Sequence, residues 1–430
     1  MSDILPSETA RSAPGRGAAE RAVAAVWRIE SAKIVATLTR MVGDFGLAED
    51  LAQEALVDAL SQWPVEGVPR NGAAWLTAVA KRKAIDGWRR RERLDDRIAV
   101  LAHDLEREQA EQAEATPWDP DAVDDDVLRL IFISCHPVLS REAQVALTLR
   151  VVGGLSSEEI ARAFLVPTAT VQQRIVRAKK TLAAANVPFE MPPREEHGER
   201  LGAILGVLYL IFNEGHAASS GPDWMRPELS LEAIRLTRVL AALMPRERDV
   251  HSLLALMELT AARFAARVDA NGDPVLLGDQ DRRRWDRSRI ARGRAALARA
   301  DALGTGRGSY GLQAAIAECH AVAASVEETD WERIVLLYEA LGRIAPSPVI
   351  ELNRAAAVAM ATGPASALRI IDRLAESGAL RGYHLLPATR GEMLLRLGRM
   401  EEARSEFAAA AALAWNDRER ALLEAKAAGR

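Results

Sequence analysis

The sequence predicts an all-α protein of several domains. Aromatic residues make up only 5% of the chain, although 49% of its residues are hydrophobic. Alanine, leucine and arginine are abundant and favour helices, whereas sheets prefer β-branched and aromatic side chains. Apolar residues recur at helical spacing, most clearly at Val171, Ile175, Ala178 and Leu182. A chain of 430 residues is long enough for roughly two to four such domains.

Composition divides the chain into six segments. The first is rich in glycine, proline and serine and lacks the apolar stretch of a signal peptide. A helical segment follows and becomes basic towards its end, and an acidic linker separates it from a second helical unit. We predict a flexible tail at 1–19, a helical domain at 20–97, a linker at 98–126, a helix-turn-helix domain at 127–190, a helical extension at 191–300 and helical repeats at 301–430.

Several classes of protein are disfavoured by the sequence. Cys135 and Cys319 lie far apart, so neither a disulfide framework nor a zinc site is expected, and a cytoplasmic location fits. The apolar run at 201–212 is too short to cross a bilayer and predicts a buried helix, which Asn213 or Gly215 should terminate. No nucleophile and base form a catalytic pattern. We therefore expect no enzyme activity, no metal and no cofactor.

The first domain contains two helical motifs of opposite character. In the segment 47–60, Leu51, Ala55 and Leu56 can face a core, which leaves acidic and amide side chains for a polar partner surface. The segment 74–91 carries six cations against the single Asp86, a density typical of phosphate binding. Aromatic residues lie among these cations, where single-stranded bases could stack. Trp88 is a candidate for such stacking, whereas Trp75 is expected in the core.

The second domain contains the most informative segment, two short helices joined by a turn. Ser156 and Glu159 have the spacing of a capping box, and Val166 before Pro167 should end the first helix. Thr168 or Thr170 could then cap the second helix. Its apolar stripe is flanked by glutamine, arginine and lysine, which can read base edges in the major groove and bind phosphates. An ordinary helical hairpin with a solvated charged face is the alternative.

The C-terminal half contains a weak internal repeat. The pattern of helix, glycine turn and helix at 354–374 is echoed at 390–407 with an offset of about 35 residues, close to the tetratricopeptide period. Such repeats form concave protein-binding surfaces. A plain helical bundle remains the alternative. The basic run Arg282–Arg284 is expected to be a solvated face or an internal partner for acidic neighbours such as Asp279 and Asp281.

Three motifs resemble an RNA polymerase sigma factor of the extracytoplasmic-function type. The segment 47–60 is similar to the region-two helix that grips the β′ subunit, and 74–91 to the helix that faces the minus-ten promoter element. The segment 139–182 resembles region four, which reads the minus-thirty-five element. Some of these sigma factors carry a tetratricopeptide-like extension tied to activity control, which the segments 208–216, 313–317 and 330–331 resemble.

The resemblance implies promoter DNA and the β′ and β subunits of core RNA polymerase as partners, with a further protein partner on the repeats and no membrane. Minus-ten binding and melting would involve Arg70, Asn71, Lys81, Arg82, Lys83, Trp88, Arg89, Arg90 and Arg91, with Arg70 and Asn71 capturing a flipped base. Minus-thirty-five binding would involve Thr168, Thr170, Gln172, Gln173, Arg174, Arg177, Lys179 and Lys180. Polymerase binding would involve Glu49, Asp50, Gln53 and Glu54.

The family's region-two helix often has asparagine where this chain has Lys81–Lys83, so the residues that read minus-ten bases can differ here. Two other functions fit the same sequence. One is a one-component transcription regulator that senses a signal through its repeats, and the other is a scaffold in which DNA binding is incidental. The acidic linker could occupy a basic channel of the polymerase or fold back onto the basic helices.

Overall fold

The computed structural model describes residues 16–92, 120–164, 166–218, 223–270, 272–304 and 306–429. Every regular element in these ranges is a helix, apart from one isolated antiparallel bridge between Val268 and Pro274. The all-α prediction is therefore confirmed. The chain divides into two compact units. The first holds the residues up to Ile204 apart from Ala163 and Phe164, and the second holds those two residues and the chain from Leu205 onwards. None of the described helices is long and apolar enough to span a membrane.

The first unit begins with three packed helices. They are α1 (Arg16–Val42), α2 (Phe45–Glu66) and α3 (Gly72–Glu92). Asp44 caps α2, because its carboxylate accepts a hydrogen bond of 2.9 Å from the backbone N–H of Leu47. Trp63 is 1% exposed in the core of this bundle. Helix α2 continues through Pro64 and closes its last turn with a hydrogen bond from Gly67 N–H to the Trp63 carbonyl, which leaves only a short loop before α3.

Four further helices complete the first unit. They are α4 (Pro120–Ser134), α5 (Arg141–Leu147), which continues as a π-helical turn (Thr148–Val152), α6 (Ser157–Phe164) and α7 (Thr168–Ala184). Helix α4 begins inside the segment expected to be an acidic linker. Asp126, the last residue of that linker, is fully buried and pairs with Arg40 at 3.3 Å and with Arg129 at 2.6 Å. The Asp126 carboxylate therefore forms buried ion pairs and is not solvated, while residues 98–119 of the linker lie outside the described residues.

A long helix, α8 (His197–His216), contains the boundary between the two units. Its buried residues include Leu201, Ile204 and Phe212, which confirms the prediction of a buried helix there. The predicted end at Asn213 or Gly215 is wrong, because the helix continues to His216. Gly215 instead permits a close approach, since a Cβ atom there would lie 2.4 Å from the backbone nitrogen of Ser230.

The second unit consists of helices joined mostly by turns, apart from a longer segment at 262–286 that contains three short 3-10 helices. Gly363 and Gly398 adopt positive φ angles of 101° and 76° between paired helices, at the two glycine turns expected from the sequence. Small side chains such as Ala355, Ala367 and Ala403 are buried where these helices pack. After α8 the helices are α9 (Pro227–Leu243), α10 (Arg248–Ala261), α11 (Arg287–Ala302), α12 (Ser309–Val322), α13 (Trp331–Ile344), α14 (Pro348–Ala361), α15 (Pro364–Ser377), α16 (Leu385–Arg396), α17 (Met400–Leu413) and α18 (Asp417–Ala427).

Candidate nucleic-acid interface

Helix α3 presents part of the predicted cationic surface. Lys81 and Arg82 are exposed. Lys83 instead lies against α2, where its ammonium is 3.0 Å from Asp58 and 3.4 Å from Glu54. The hydrogen bond to Asp58 is the main reason that the pKa of Lys83 is raised. Lys83 therefore forms two intramolecular ion pairs, one of them with Glu54 of the predicted polymerase-binding set.

The aromatic residues of this region take different positions. Trp75 is half-buried and packs edge-to-face on Trp63, with ring centroids 5.6 Å apart, as expected for a core residue. Trp88 is half-buried further along the same helix. The backbone of α3 includes Arg89–Arg91, but their side chains lie outside the described residues.

The loop before α3 is short, and its two candidate residues differ. Arg70 is exposed and open to a ligand. Asn71 is also exposed, but its side-chain oxygen accepts a hydrogen bond of 3.0 Å from the backbone N–H of Ala74. This residue therefore caps α3, a function that does not require DNA.

The helix-turn-helix has the local structure that the sequence predicts. The N–H of Glu159 donates to the Ser156 hydroxyl at 3.1 Å, and the Ser156 N–H donates to the Glu159 carboxylate at 2.7 Å, which is a complete capping box. The prediction that Thr168 or Thr170 caps the second helix is wrong. Pro167 occupies that position, and no side chain caps the helix.

Helix α7 separates an apolar stripe from a polar face. The predicted stripe of Val171, Ile175, Ala178 and Leu182 is buried. Most of the candidate DNA-binding residues lie on the remaining surface. Gln172, Gln173, Arg177 and Lys180 are exposed, whereas Thr168, Thr170, Arg174 and Lys179 are half-buried.

Lys179 is half-buried because it contacts the acidic surface of α2. Its ammonium is 2.7 Å from Glu49 Oε2 and 2.6 Å from Asp50 Oδ1, while Arg150 lies 3.3 Å from Glu49 Oε1. Burial by itself would lower the pKa of Lys179, but the pairing with Glu49 and Asp50 outweighs it and raises the pKa. A candidate DNA-binding lysine is therefore paired with two candidate polymerase-binding carboxylates.

The polymerase-binding candidates are unequally accessible as a result. Glu49, one of the polymerase-binding candidates implied by the resemblance, is buried, with 4% of its surface exposed. Asp50 and Glu54 remain exposed and Gln53 is half-buried. The burial of Glu49 arises from residues more than a hundred positions away, which no local pattern identifies.

The first unit has two halves, helices α1–α3 and helices α4–α7, and two further contacts join them. Arg28 of α1 donates to Glu159 at 2.8 Å, so the capping carboxylate also forms an ion pair between the halves. Gly154 has a φ of +69°, and a Cβ atom there would lie 2.6 Å from Ser31 Oγ. Neither Arg28 nor Gly154 was a candidate from the sequence, because their partners are remote along the chain.

The described residues contain no group of side chains arranged to hold a metal ion. Cys135 and Cys319 are both buried and free. Burial raises the pKa of the Cys135 thiol to about 11. His216 stacks on Phe212 and contacts Arg267, while Glu214 pairs with Arg226, so these polar residues have structural partners.

Three families match separate parts of the chain. Residues 29–94 match Sigma-70 region 2, and residues 129–182 match Sigma-70 region 4. Residues 200–301 match DUF6596, a family of unknown function. No match supports the tetratricopeptide assignment, which stays a prediction. No solved structure matches the chain.

Three related proteins place these matches in context. An uncharacterized protein R00370 of Rhizobium meliloti is 46% identical over 392 residues, which cover 90% of each chain. A probable ECF RNA polymerase sigma factor, SigI, of Mycobacterium tuberculosis is 31% identical over 40% of this chain and 58% of its own length. The RNA polymerase sigma-H factor of Pseudomonas aeruginosa is 31% identical over 36% of this chain and 82% of its own length.

A basic helix in one helical bundle and a helix-turn-helix in the next define a DNA-binding transcription protein. Two findings narrow this class to one family: the order of the two matched regions, and the match over 82% of the length of the sigma-H factor. The chain belongs to the sigma-70 family of RNA polymerase sigma factors, proteins that bind promoter DNA and RNA polymerase during transcription initiation.

Proposed function

We propose that the chain is a sigma factor of the extracytoplasmic-function type that recognises two promoter elements. The exposed polar face of α7, opposite its buried apolar stripe, is the observation that carries this proposal. Gln172, Gln173, Arg174 and Arg177 are the candidates for contact with minus-thirty-five base edges. Lys180 is the candidate for a phosphate contact.

The minus-ten element would meet the exposed part of α3 and the loop before it. Lys81, Arg82 and Arg70 are exposed and carry positive charge, which suits the phosphates of DNA. Trp88 would stack on an unpaired base, a contact that tolerates any base. Lys83 and Asn71 are weaker candidates, because both side chains already have intramolecular partners.

The polymerase would bind the acidic face of α2, with Asp50, Gln53 and Glu54 as candidates. The ion pairs between Lys179 and that face would compete with polymerase binding and with promoter binding. When Lys179 is docked on Glu49 and Asp50, neither the lysine nor Glu49 is accessible to a larger partner. We therefore propose that the two halves of the first unit separate when the protein binds polymerase and promoter.

In vitro transcription tests the main proposal. Purified protein added to core polymerase should direct transcripts from a defined start site. Arg174→Ala should weaken binding to the minus-thirty-five element by ~1–3 kcal/mol if the residue makes a bidentate base contact. Glu158→Ala, an exposed change on the preceding helix, is the matched control. Absence of core binding and of specific transcripts would contradict the sigma-factor proposal.

Charge reversal on α2 separates a sigma factor from a one-component regulator. Asp50→Arg should abolish core binding and transcription but leave duplex DNA binding intact. A one-component regulator would show no core binding before or after the change, and its DNA binding and its effect on transcription should be unaltered. Asp86→Arg, an exposed change on α3, controls for net charge.

We further propose that the C-terminal extension controls this activity and that its repeats bind a protein. Large apolar side chains on these helices are exposed, including Leu336 at 64%, Met400 at 51% and Trp415 at 78%. A chain ending near Pro192 should differ from the full chain in core binding or transcription. Equal activity of the two chains would refute a regulatory extension, and such a result would leave the sigma-factor proposal intact.

A further inference from the structure

A group of buried arginines occupies the part of the second unit that precedes the repeats. Arg267 is 7% exposed and Arg282 is 8% exposed. The guanidinium carbons of Arg263 and Arg282 lie 6.0 Å and 4.9 Å from the ring centroid of Trp285. That of Arg267 lies 5.7 Å from the ring of Trp224. Three cations are thus held among aromatic rings in the protein interior.

Arg282 is the structural member of this group. Its guanidinium donates to the carbonyl oxygens of His320 at 2.6 Å and Ala323 at 2.8 Å, and to the Thr329 hydroxyl at 3.1 Å. These bonds fix the segment before α13. The next residue of the basic run, Arg283, is exposed and pairs with Asp281 at 3.0 Å. Arg282 therefore has its hydrogen-bonding capacity largely used.

Arg263 and Arg267 have no acidic partner among the described residues. Arg267 donates to the carbonyl of His216 at 2.7 Å and contacts its ring, but no carboxylate of the described residues pairs with it. Within the same described ranges, the Arg263 side chain has neither a hydrogen bond nor an ion pair, and its main contact is the Trp285 ring. Half-buried Arg263 and buried Arg267 therefore have no negative charge beside them among the described residues.

Both groups keep their charge at neutral pH. Burial, together with a neighbouring guanidinium, lowers the pKa of Arg263 to about 10 and that of Arg267 to about 9. The nearby ionisable groups provide no compensation. Burial lowers the pKa of His320 to about 4, which leaves it neutral, and raises the pKa of Tyr338 to about 12. Buried charge without a partner is costly, so a counter-charge is expected.

Neutral donors beside these cations are also unused. Trp285 is only 3% exposed, yet its indole N–H has no hydrogen-bond partner in the described part of the chain. The indole N–H of Trp224 is likewise buried without a described partner. Native proteins rarely leave buried donors unsatisfied. An acceptor-rich ligand would satisfy them.

Three residues at this group keep some exposure to solvent: Arg263, Tyr209 and Tyr338 are half-buried, whereas Arg267 and Trp285 are buried. A ligand would therefore have to enter beside Arg263. Tyr209 packs edge-to-face on Tyr310 with ring centroids 5.5 Å apart, and its hydroxyl donates to Gln313 at 3.1 Å. Aromatic side chains with polar ends therefore border the arginines, as is common in small-molecule sites.

We infer that Arg263, Arg267 and the indole N–H of Trp285 form a binding site for a phosphate monoester with an apolar or aromatic body. The charge balance selects this class, because two uncompensated guanidinium groups match a dianion better than a single carboxylate. Phosphate oxygens accept from guanidinium and indole donors alike. The inference does not depend on the sigma-factor proposal, since binding is measured without polymerase or DNA.

Calorimetric titration of the full chain with inorganic phosphate and with phenyl phosphate tests the site. Sodium chloride at matched ionic strength and benzoate are the comparison anions. We expect saturable binding of phenyl phosphate, weaker binding of phosphate and little binding of benzoate. Arg263→Met should weaken phenyl phosphate binding at least about tenfold, which corresponds to one buried charged contact. Arg283→Met is the matched control, because that side chain is 91% exposed in the same region.

Thermal unfolding provides a readout that a misfolded variant cannot imitate. Without phosphate, Arg267→Met should unfold at the same or a higher temperature than the parent chain, since it removes an uncompensated buried charge. With phenyl phosphate, the parent and Arg283→Met should gain stability while Arg263→Met and Arg267→Met should not. Absence of saturable binding up to about 10 mM, binding of benzoate as tight as that of phenyl phosphate, or equal weakening by Arg283→Met would each overturn the inference.

Discussion

Replacing Lys179 by methionine tests whether the two halves of the first unit are docked through charge. The substitution keeps the unbranched stem of the side chain and removes only the ammonium. That group lies 2.7 Å from Glu49 and 2.6 Å from Asp50, and the Glu49 side chain is 5% exposed. Docking should weaken, because the buried carboxylate then keeps only Arg150 at 3.3 Å.

The size of the effect follows from the exposure of each partner. A hydrogen bond between charged groups contributes ~1.5–3 kcal/mol when it is shielded from water. The Asp50 side chain is 66% exposed, so its pair with Lys179 adds little. Arg150 retains part of the interaction with Glu49. We expect a loss of about 2 kcal/mol in docking free energy, which is roughly a thirtyfold shift towards separated halves.

Electron–electron double resonance between two spin labels measures the distance between the two halves in the full chain. Cysteines at Val57, which is 63% exposed on α2, and at Ala184, which is exposed at the end of α7, accept the labels. Both native cysteines are buried and should stay unlabelled. Lys179→Met should add a broad, longer distance to the distribution, and its core-polymerase affinity should rise.

Lys180→Met is the matched control, since Lys180 is exposed on the same helix and carries the same charge. Both variants lose one cation, so any general loss of DNA binding should be similar. Only Lys179→Met should change the label distance. An unchanged distribution in Lys179→Met, or the same change in Lys180→Met, would refute docking through this ion pair.

Three further outcomes are expected. Asn71→Ala should destabilise α3 by ~1 kcal/mol through the lost cap, measured as faster amide exchange at Ala74, whereas Asn71→Asp should restore protection. Gly154→Ala should destabilise docking, because the positive φ and the 2.6 Å approach to Ser31 leave no room for a methyl group, and the same spin labels should report it; an unaltered distance would contradict this. His320 should contribute a fall in stability of ~1.4 kcal/mol per pH unit between pH ~6.5 and about 4, because the unfolded chain then binds a proton that buried, neutral His320 does not. Burial also lowers the pKa of His216, which adds to the same slope. His320→Gln should therefore reduce the slope by ~1.4 kcal/mol per pH unit in urea unfolding followed from pH 8 to 4, and an unchanged slope would argue against a contribution from His320.

Local patterns predicted much of the first unit because they depend on neighbours along the chain. The capping box at Ser156 and Glu159 and the apolar stripe of α7 follow from spacing within a few residues, and both are confirmed. Ends of helices were harder to predict. Gly215 looked like a terminator but lies inside α8, because a close approach to Ser230 requires it there.

In the candidate site too, some features follow from local spacing and others depend on partners that are remote along the chain. Exposure of Gln172, Gln173 and Arg177 could be read from helical periodicity. The burial of Glu49 could not, because its partners Arg150 and Lys179 are about a hundred residues or more away along the chain. Asp126 likewise belonged to a segment expected to be solvated but is buried beside Arg40.

The sequence alone determined the helical class and the order of the two DNA-binding regions, because hydrophobic periodicity and capping chemistry are local properties. It also determined the family, through motifs whose order and spacing are encoded in the chain. Only the tertiary structure decided which charged residues are paired or buried. Ion pairs such as Lys179 with Glu49, and unpaired cations such as Arg263 beside Trp285, depend on which distant segments pack together.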